Sequence, residues 1–192
     1  IENILIPASV TNIGSFVFSY CKFLKKIDFS ENSELNEIEK SAFSNSAIES
    51  ITIPRSVVKL GECCFYYCKQ LTLISIPKGV TSIGESYFSN CEQLKSISIP
   101  NGVMSISKSG FSNCKQLTSI SNSVTSIGDN CFCHCEQLIS ISIPNSITSI
   151  DESCFSHCFN LSSISLSNSL ILINKEPGKA FRLLIKLSYC DK

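Results

Sequence analysis

The stretches SITIPRSVVKLGECCFYYCKQL (50–71), LISIPKGVTSIGESYFSNCEQL (73–94) and SISIPNGVMSISKSGFSNCKQL (96–117) follow one another along the chain and align without a gap. The proline of their I-P pair recurs at a step of 23 residues. Self-similarity at a fixed period of this length is the signature of a repeat protein, in which every unit is one small structural element. This period decides the fold.

The phenylalanine of the unit extends the register over most of the chain. Two extra residues in SENSEL (30–35) lengthen the second unit, and two are missing after Ile120. A column this regular indicates that its residue occupies an equivalent buried place in every unit. With those edits the column reads Phe18, Phe43, Phe65, Phe88, Phe111, Phe132 and Phe155.

Each unit reads L-x-x-I-x-I-P-x-x-V-x-x-I-G-x-x-x-F-x-x-C. In LKSISIP (94–100), Ile97 and Ile99 alternate with serine, which predicts a strand with isoleucine on one face and serine on the other. The proline ends the strand because it lacks an N–H, and the glycine supplies a tight turn. One strand cannot bury its own apolar face, so the units must stack with their strands paired in parallel.

The charge balance excludes two classes of partner. Sixteen basic and sixteen acidic residues cancel, and charged residues make up only 17% of the chain. The chain therefore lacks the basic field that nucleic acids and anionic membranes require, and we expect no nucleic acid partner. No apolar run approaches the roughly 18 residues of a membrane span, so we expect no transmembrane span.

The order L-x-x-I-x-I-P, V-x-x-I-G and F-x-x-C resembles the leucine-rich repeats of BspA-like surface antigens, which occur in bacteria and parasitic protists. The resemblance covers residues 1–170. It implies an α/β-type solenoid, a leucine-rich repeat arc of about seven to eight coils with a parallel β-sheet on its concave face. Short turns, or 3₁₀ or helical turns, are expected on the other side. Residues 171–192 abandon the spacing, and we expect a cap or a last irregular repeat there.

The same resemblance implies a function without catalysis. It points to a protein-interaction scaffold at the cell surface or outside the cell, used for adhesion to a host or extracellular-matrix protein or glycoprotein. An intracellular leucine-rich repeat scaffold without an adhesive role remains the alternative. Because Ile1 begins inside a strand unit, we expect further repeats on its N-terminal side.

The outward strand positions are the candidate binding residues. They form two columns on the predicted concave face, and beyond residue 96 nearly all of them carry a hydroxyl. Small hydroxyl residues also solvate a parallel sheet without any ligand, so a purely structural interpretation competes with binding. The candidates are Ser50, Thr52, Ser75, Ser96, Ser98, Ser119, Ser140, Ser142, Ser163 and Ser165. An alternative contact surface, on the side that carries the phenylalanines, consists of Tyr66, Tyr67 and Tyr87 together with Cys133 and the two histidines.

Most of the twelve cysteines fall in repeat columns, which predicts buried, small apolar side chains. Disulfides between coils are a competing hypothesis, but parallel side chains in a ladder keep their Cβ atoms from converging. A zinc site formed by CFCHC (131–135) and CFSHC (154–158) is a second one. The main cysteine column is Cys21, Cys68, Cys91, Cys114, Cys135 and Cys158.

No catalytic constellation accompanies these columns. The repeat places no Asp or Glu beside the two histidines, His134 and His157. The serines occur without a G-x-S-x-G elbow, and neither a P-loop nor a dinucleotide-binding fingerprint occurs. We therefore expect no enzyme activity, no cofactor and no metal.

Overall fold

The fold is known from a computed structural model, which describes residues 1–121, 124–143, 147, 149–150, 153–165 and 172–173. Within these residues every coil contributes one long and one short strand. The long strands are β1 (Asn3–Ile6), β3 (Lys26–Phe29), β5 (Ser50–Thr52), β7 (Leu73–Ser75), β9 (Ser96–Ser98), β11 (Ser119–Ser121), β13 (Ser140–Ser142) and β15 (Ser163–Ser165). The short strands are β2 (Asn12–Ile13), β4 (Glu37–Ile38), β6 (Lys59–Leu60), β8 (Ser82–Ile83), β10 (Ser105–Ile106), β12 (Ser126–Ile127), β14 (Ser149–Ile150) and β16 (Leu172–Ile173).

All pairings between these strands are parallel, as the repeat predicts. The first four long strands form one sheet in the order β1-β3-β5-β7, and the later ones pair as β9-β11 and β13-β15. The register is that of the sequence columns, with Ile97 opposite Ile120 and Ile141 opposite Ile164. The short strands form a second set of parallel ladders, which the sequence analysis did not separate from the long strands.

The segment that contains the phenylalanine is a series of β-turns, and the described part of the chain contains no α- or 3₁₀-helix. In the third coil the Cys68 N–H donates to the Phe65 carbonyl at 3.2 Å, and Tyr67 between them has φ 61°. A second residue with positive φ, Cys63, lies four positions earlier. Left-handed residues at this spacing are incompatible with a right-handed helix. The short turns expected here are present, whereas the 3₁₀ or helical alternative is not confirmed.

These turns also connect the coils to one another. The N–H groups of Phe65 and Tyr67 donate to the carbonyls of Tyr87 and Ser89 in the next coil, at 3.0 and 2.8 Å. The left-handed residues change the direction of the chain so that alternate N–H groups point along the stack. A third ladder of hydrogen bonds therefore joins adjacent coils on the side opposite the long strands.

The phenylalanine column forms the centre of the core. Phe65, Phe88 and Phe111 are fully buried, and their rings stack in sequence with centroids 5.7 Å and then 5.2 Å apart. The file continues from Phe18 to Phe155 with separations between 5.1 and 5.7 Å. The burial that the column predicts is confirmed from Phe43 to Phe155, whereas Phe18 in the first coil is half-buried.

The division between the repeat array and the C-terminal segment stays a prediction. Strand β16 pairs with β14, so the short-strand ladder reaches Ile173. The expected cap or irregular repeat within 171–192 otherwise lies outside the described residues.

Candidate binding surface

The outward side chains of the eight long strands form one surface, here called the long-strand face. The strand register brings the predicted columns together, with Thr52 opposite Ser75 and Ser98 opposite Ser121. Ser96 lies opposite Ser119, Ser140 opposite Ser163, and Ser142 opposite Ser165. The candidate residues therefore occupy equivalent positions of successive strands, and their role in binding is a separate question.

Most of the candidate hydroxyls are accessible. Ser50 is half-buried, and the structure describes only the backbone of Ser119 and Ser165. The isoleucines between them, such as Ile74 and Ile97, are 4% and 5% exposed and anchor the strands to the core. The exposed candidates are Thr52, Ser75, Ser96, Ser98, Ser140, Ser142 and Ser163.

The face changes in character along the stack. Its first coils carry an ion pair, with Lys26 Nζ 2.8 Å from Asp28 Oδ1, and both side chains are about half exposed. Leu5 and Leu73 each expose 63% of their surface. From β9 onward the outward positions of the described long strands are serine. One end of the face is thus mixed in chemistry, and the other is uncharged and rich in hydroxyls.

The main cysteine column has a polar role in addition to packing. The Cys91 thiol donates to the Phe65 carbonyl at 3.1 Å, and the Cys114 thiol to the Phe88 carbonyl at 3.2 Å. Each of these cysteines thus links its coil to the preceding one. Ser46 takes the same place in the second coil, where its hydroxyl lies 3.5 Å from the Cys68 sulfur.

Burial keeps these thiols protonated. It raises the pKa of Cys68 to about 11, and it raises the pKa of Cys91 well above the ordinary value of a thiol. The thiolate is the nucleophile and the metal ligand, so these cysteines are unsuited to either chemistry. None of the eleven described cysteines takes part in a disulfide bond, and Cys190 lies outside the described residues.

The two histidines stack on each other instead of converging on a common point. Their ring centroids are 4.1 Å apart and their planes differ by 3°. Both residues have φ 60°, the conformation in which histidine and asparagine are enriched. Burial, together with the charge of His157, lowers the pKa of His134. Among the described residues no three His, Cys, Asp or Glu side chains are arranged to hold a metal ion.

The tyrosine surface expected on the turn side is only partly present. Tyr67 is 37% exposed, Tyr66 is half-buried, and their rings lie 5.4 Å apart. Lys69 Nζ lies 4.7 Å from the centre of the Tyr67 ring. The prediction for Tyr87 is wrong, because Tyr87 is fully buried, with its ring edge-on to Phe65 and Phe88.

Short coils stack here through parallel ladders, and every coil adds a leucine, an isoleucine and a phenylalanine to columns that run along the stack. A solenoid of this kind defines the class of leucine-rich repeat proteins. The family model for the BspA type leucine rich repeat region matches residues 1–118 and 116–188 of the chain, in six copies of that region. The chain belongs to this family, as its repeat pattern indicated.

One solved structure supports the fold, and the chain is also similar to others. The leucine-rich repeat protein of T. pallidum is 30% identical, with a TM-score of 0.67 over 71% of this chain and 64% of that one. A leucine-rich cell surface protein of Faecalibacterium prausnitzii is 27% identical, with a TM-score of 0.48 over 88% of this chain and 60% of that one. The pneumococcal vaccine antigen PcpA is 20% identical, with a TM-score of 0.45 over 97% of this chain and 65% of that one. The chain thus spans less than two thirds of each of these proteins.

No curated protein matches the chain significantly. In the described part of the chain, no helix has the length and apolarity needed to cross a membrane.

Proposed function

We propose that this chain is a non-catalytic interaction scaffold whose long-strand face binds a protein or glycoprotein at the cell surface, in adhesion to host or matrix material. The observation that supports the proposal is the accessibility of seven candidate hydroxyls over buried isoleucines, in a regular register. A row of exposed hydroxyls on a rigid sheet presents donors and acceptors at fixed spacing, which suits an extended glycan or peptide.

The composition of the face predicts weak binding at any single coil. Tight interfaces are usually anchored by Trp, Tyr or Arg, and the outward strand positions carry none of these residues. Affinity would then come from many equivalent contacts along the stack and from several chains that engage one surface. An adhesive molecule works well in this regime, because each contact remains reversible.

The experiment measures binding of the purified chain to immobilised basement-membrane glycoproteins by biolayer interferometry. The test variant carries Ser75→Lys and Ser98→Lys on the long-strand face. The matched control carries Gln70→Lys and Gln93→Lys, which add the same charge to exposed positions of the third and fourth coils, away from that face. We expect the test variant to lose about tenfold in affinity, about 1.4 kcal/mol, and the control to bind as the unchanged chain does. Equal losses, or no binding by the unchanged chain, would contradict the proposal.

The cysteine columns favour a second candidate function, that of an intracellular scaffold. Disulfides persist in oxidising compartments, and thiols that the core keeps buried and protonated, such as Cys68 and Cys91, are compatible with a reducing one. Protease treatment of intact source cells separates the two candidates. Digestion of the repeat region in unbroken cells supports the surface location, and its survival until lysis supports the intracellular scaffold.

A further inference from the structure

A polar cavity of about 440 Å³ lies at the C-terminal ends of β3 and β5, within the size range of small-ligand sites. Outward residues of the two strands, among them Asp28 and Thr52, form its floor. The SENSEL loop (30–35) forms one wall, and the turn from Pro54 to Ser56 forms another. The cavity is therefore a recess at the edge of the long-strand face.

The loop that forms the first wall is held in a defined conformation. The Ser30 N–H donates to the Ile6 carbonyl of the preceding coil at 3.0 Å, and the Leu35 N–H donates to Ser33 Oγ at 3.3 Å. Asn32 has φ 57°, which asparagine tolerates better than most residues. The two-residue insertion in this coil therefore gives the cavity a wall of defined backbone conformation.

The groups that line the cavity include two cations and one anion. Lys26 is paired with Asp28, whereas Arg55 is exposed and forms no ion pair with any described residue. The buried hydroxyl of Ser56, also on the lining, has no hydrogen-bond partner. Glu31 and Glu34 of the loop do not line the cavity. The surplus positive charge favours a ligand with a single negative charge.

We propose that this cavity binds one acidic sugar unit of a glycan, a hexuronic or sialic acid. The Arg55 guanidinium matches a carboxylate, since its N–H groups form a planar fork. Asp28 accepts hydrogen bonds from the sugar hydroxyls, while Thr52 donates to and accepts from them. Phe29 is half-buried and packs against the core, and as part of the lining it adds an apolar element to the cavity. This inference rests on the proposed function and names the chemistry of the ligand at one place, the edge of the long-strand face.

The lining favours a sugar over an acidic peptide side chain. An acidic peptide side chain could use Arg55, but it carries no hydroxyl group that could donate to Asp28 at the same time. A sugar acid satisfies both groups at once. Highly charged polyanions are disfavoured, because Glu31 and Glu34 lie on the same loop.

The test titrates the full chain with free glucuronic acid and follows backbone amides by NMR. Glucose serves as the uncharged sugar, and N-acetylglutamate amide as the acidic peptide analogue. The variant is Arg55→Gln. Its matched control is Lys78→Gln, which removes the same charge from the position that follows the proline of the next coil, outside the cavity.

We expect saturable shifts for residues 50–56 with a millimolar dissociation constant, weakened about tenfold by Arg55→Gln and unchanged by Lys78→Gln. Glucose and the glutamate analogue should each bind at least about tenfold more weakly. No saturation by about 50 mM glucuronic acid, equal losses in both variants, or equal binding of the glutamate analogue would each overturn the inference. Ser75 and Ser98 lie outside the cavity, so failure of this test leaves the glycoprotein-binding experiment unaffected, and the converse also holds.

Discussion

At the scale of single residues, backbone conformation explains choices that side-chain chemistry does not. The column that contains His134 and His157 also contains Asn90 and Tyr67, and all four have positive φ. The repeat pattern alone gives no reason for the composition of this column. The left-handed turn supplies that reason, because asparagine and histidine are among the residues that best tolerate it. The histidines thus have a structural explanation that involves neither metal nor catalysis.

A glycine column has a similar explanation. The sequence predicts that these glycines provide tight turns, yet no glycine in the described residues has positive φ. A Cβ at Gly128 would lie 2.6 Å from the Lys108 amide nitrogen of the preceding coil. Close approach between coils therefore requires glycine at this position. A pattern of letters cannot show this, since it depends on how near the coils come to one another.

Tyr87 provides a prediction at the residue scale. Its hydroxyl is buried beside the Cys64 thiol without a well-formed hydrogen bond, and burial raises its pKa well above the ordinary value. We expect Tyr87→Phe to increase the free energy of unfolding by about 1 kcal/mol in urea titrations, because an unsatisfied polar group is removed. Tyr66→Phe, at a half-buried position of the preceding coil, should have little effect. A clear loss of stability in Tyr87→Phe would show that the hydroxyl has a partner.

At the scale of elements, the long strands and the phenylalanine column could be predicted, but the turn segment could not. Ile97 and Ile99 alternate with serine over a whole strand, so period and residue type agree. The short strands have only two residues each, which is too few for any periodicity. The turns contain no glycine at their left-handed positions, so the usual sequence signal for such a turn is missing.

The phenylalanine file gives the prediction at this scale. Phe88 is fully buried between Phe65 and Phe111, so we expect Phe88→Ala to lower the free energy of unfolding by about 3–5 kcal/mol. Phe23→Ala is the control, because Phe23 is 75% exposed and should change stability by less than about 0.5 kcal/mol. Chemical denaturation of the three proteins measures both values. Similar small changes in both variants would mean that the file does not stabilise the coils.

At the scale of the whole molecule, stability depends on many equivalent interfaces, and because these interfaces bury thiols it also depends on pH. Burial raises the pKa of seven cysteines that are inaccessible to solvent, namely Cys64, Cys68, Cys91, Cys114, Cys131, Cys135 and Cys158. An unfolded chain loses these protons near pH 8.5, whereas the folded chain keeps them until much higher pH. Their contribution to stability is therefore complete below about pH 8.5 and is lost as the pH rises above it.

We predict a steep alkaline unfolding between about pH 9 and 10. Above the pKa of the unfolded thiols, each buried thiol lowers the free energy of unfolding by about 1.4 kcal/mol per pH unit. Seven thiols therefore remove a typical free energy of unfolding of about 5–15 kcal/mol within one or two pH units. Urea unfolding midpoints measured at several pH values check this prediction. Cys114→Ser removes one titrating thiol, so the free energy of unfolding should fall less steeply with pH, by about 1.4 kcal/mol per pH unit. A midpoint that stays constant from pH 7.5 to 10 would contradict the prediction.

The residues that share the long-strand face could be predicted from the sequence, whereas binding by this face stays a proposal. The serine columns fixed which residues share the face, and the strand register confirms their alignment, as for Ser98 and Ser121. The cavity beside Arg55 could not be predicted, because its walls come from an inserted loop and a turn of a different coil. A site that is formed where the chain departs from its repeat can be found only in the structure, because the repeat pattern does not predict it.

The stability of the array depends on one packing arrangement, in which each coil buries its apolar edge against the equivalent residues of its neighbours. NMR with selectively labelled phenylalanine tests it most directly, through nuclear Overhauser contacts between the rings of the file. We predict contacts from Phe88 to both Phe65 and Phe111, whose centroids lie 5.7 and 5.2 Å from it, and none between Phe65 and Phe111. The absence of either neighbouring contact, or a direct contact between Phe65 and Phe111, would contradict it.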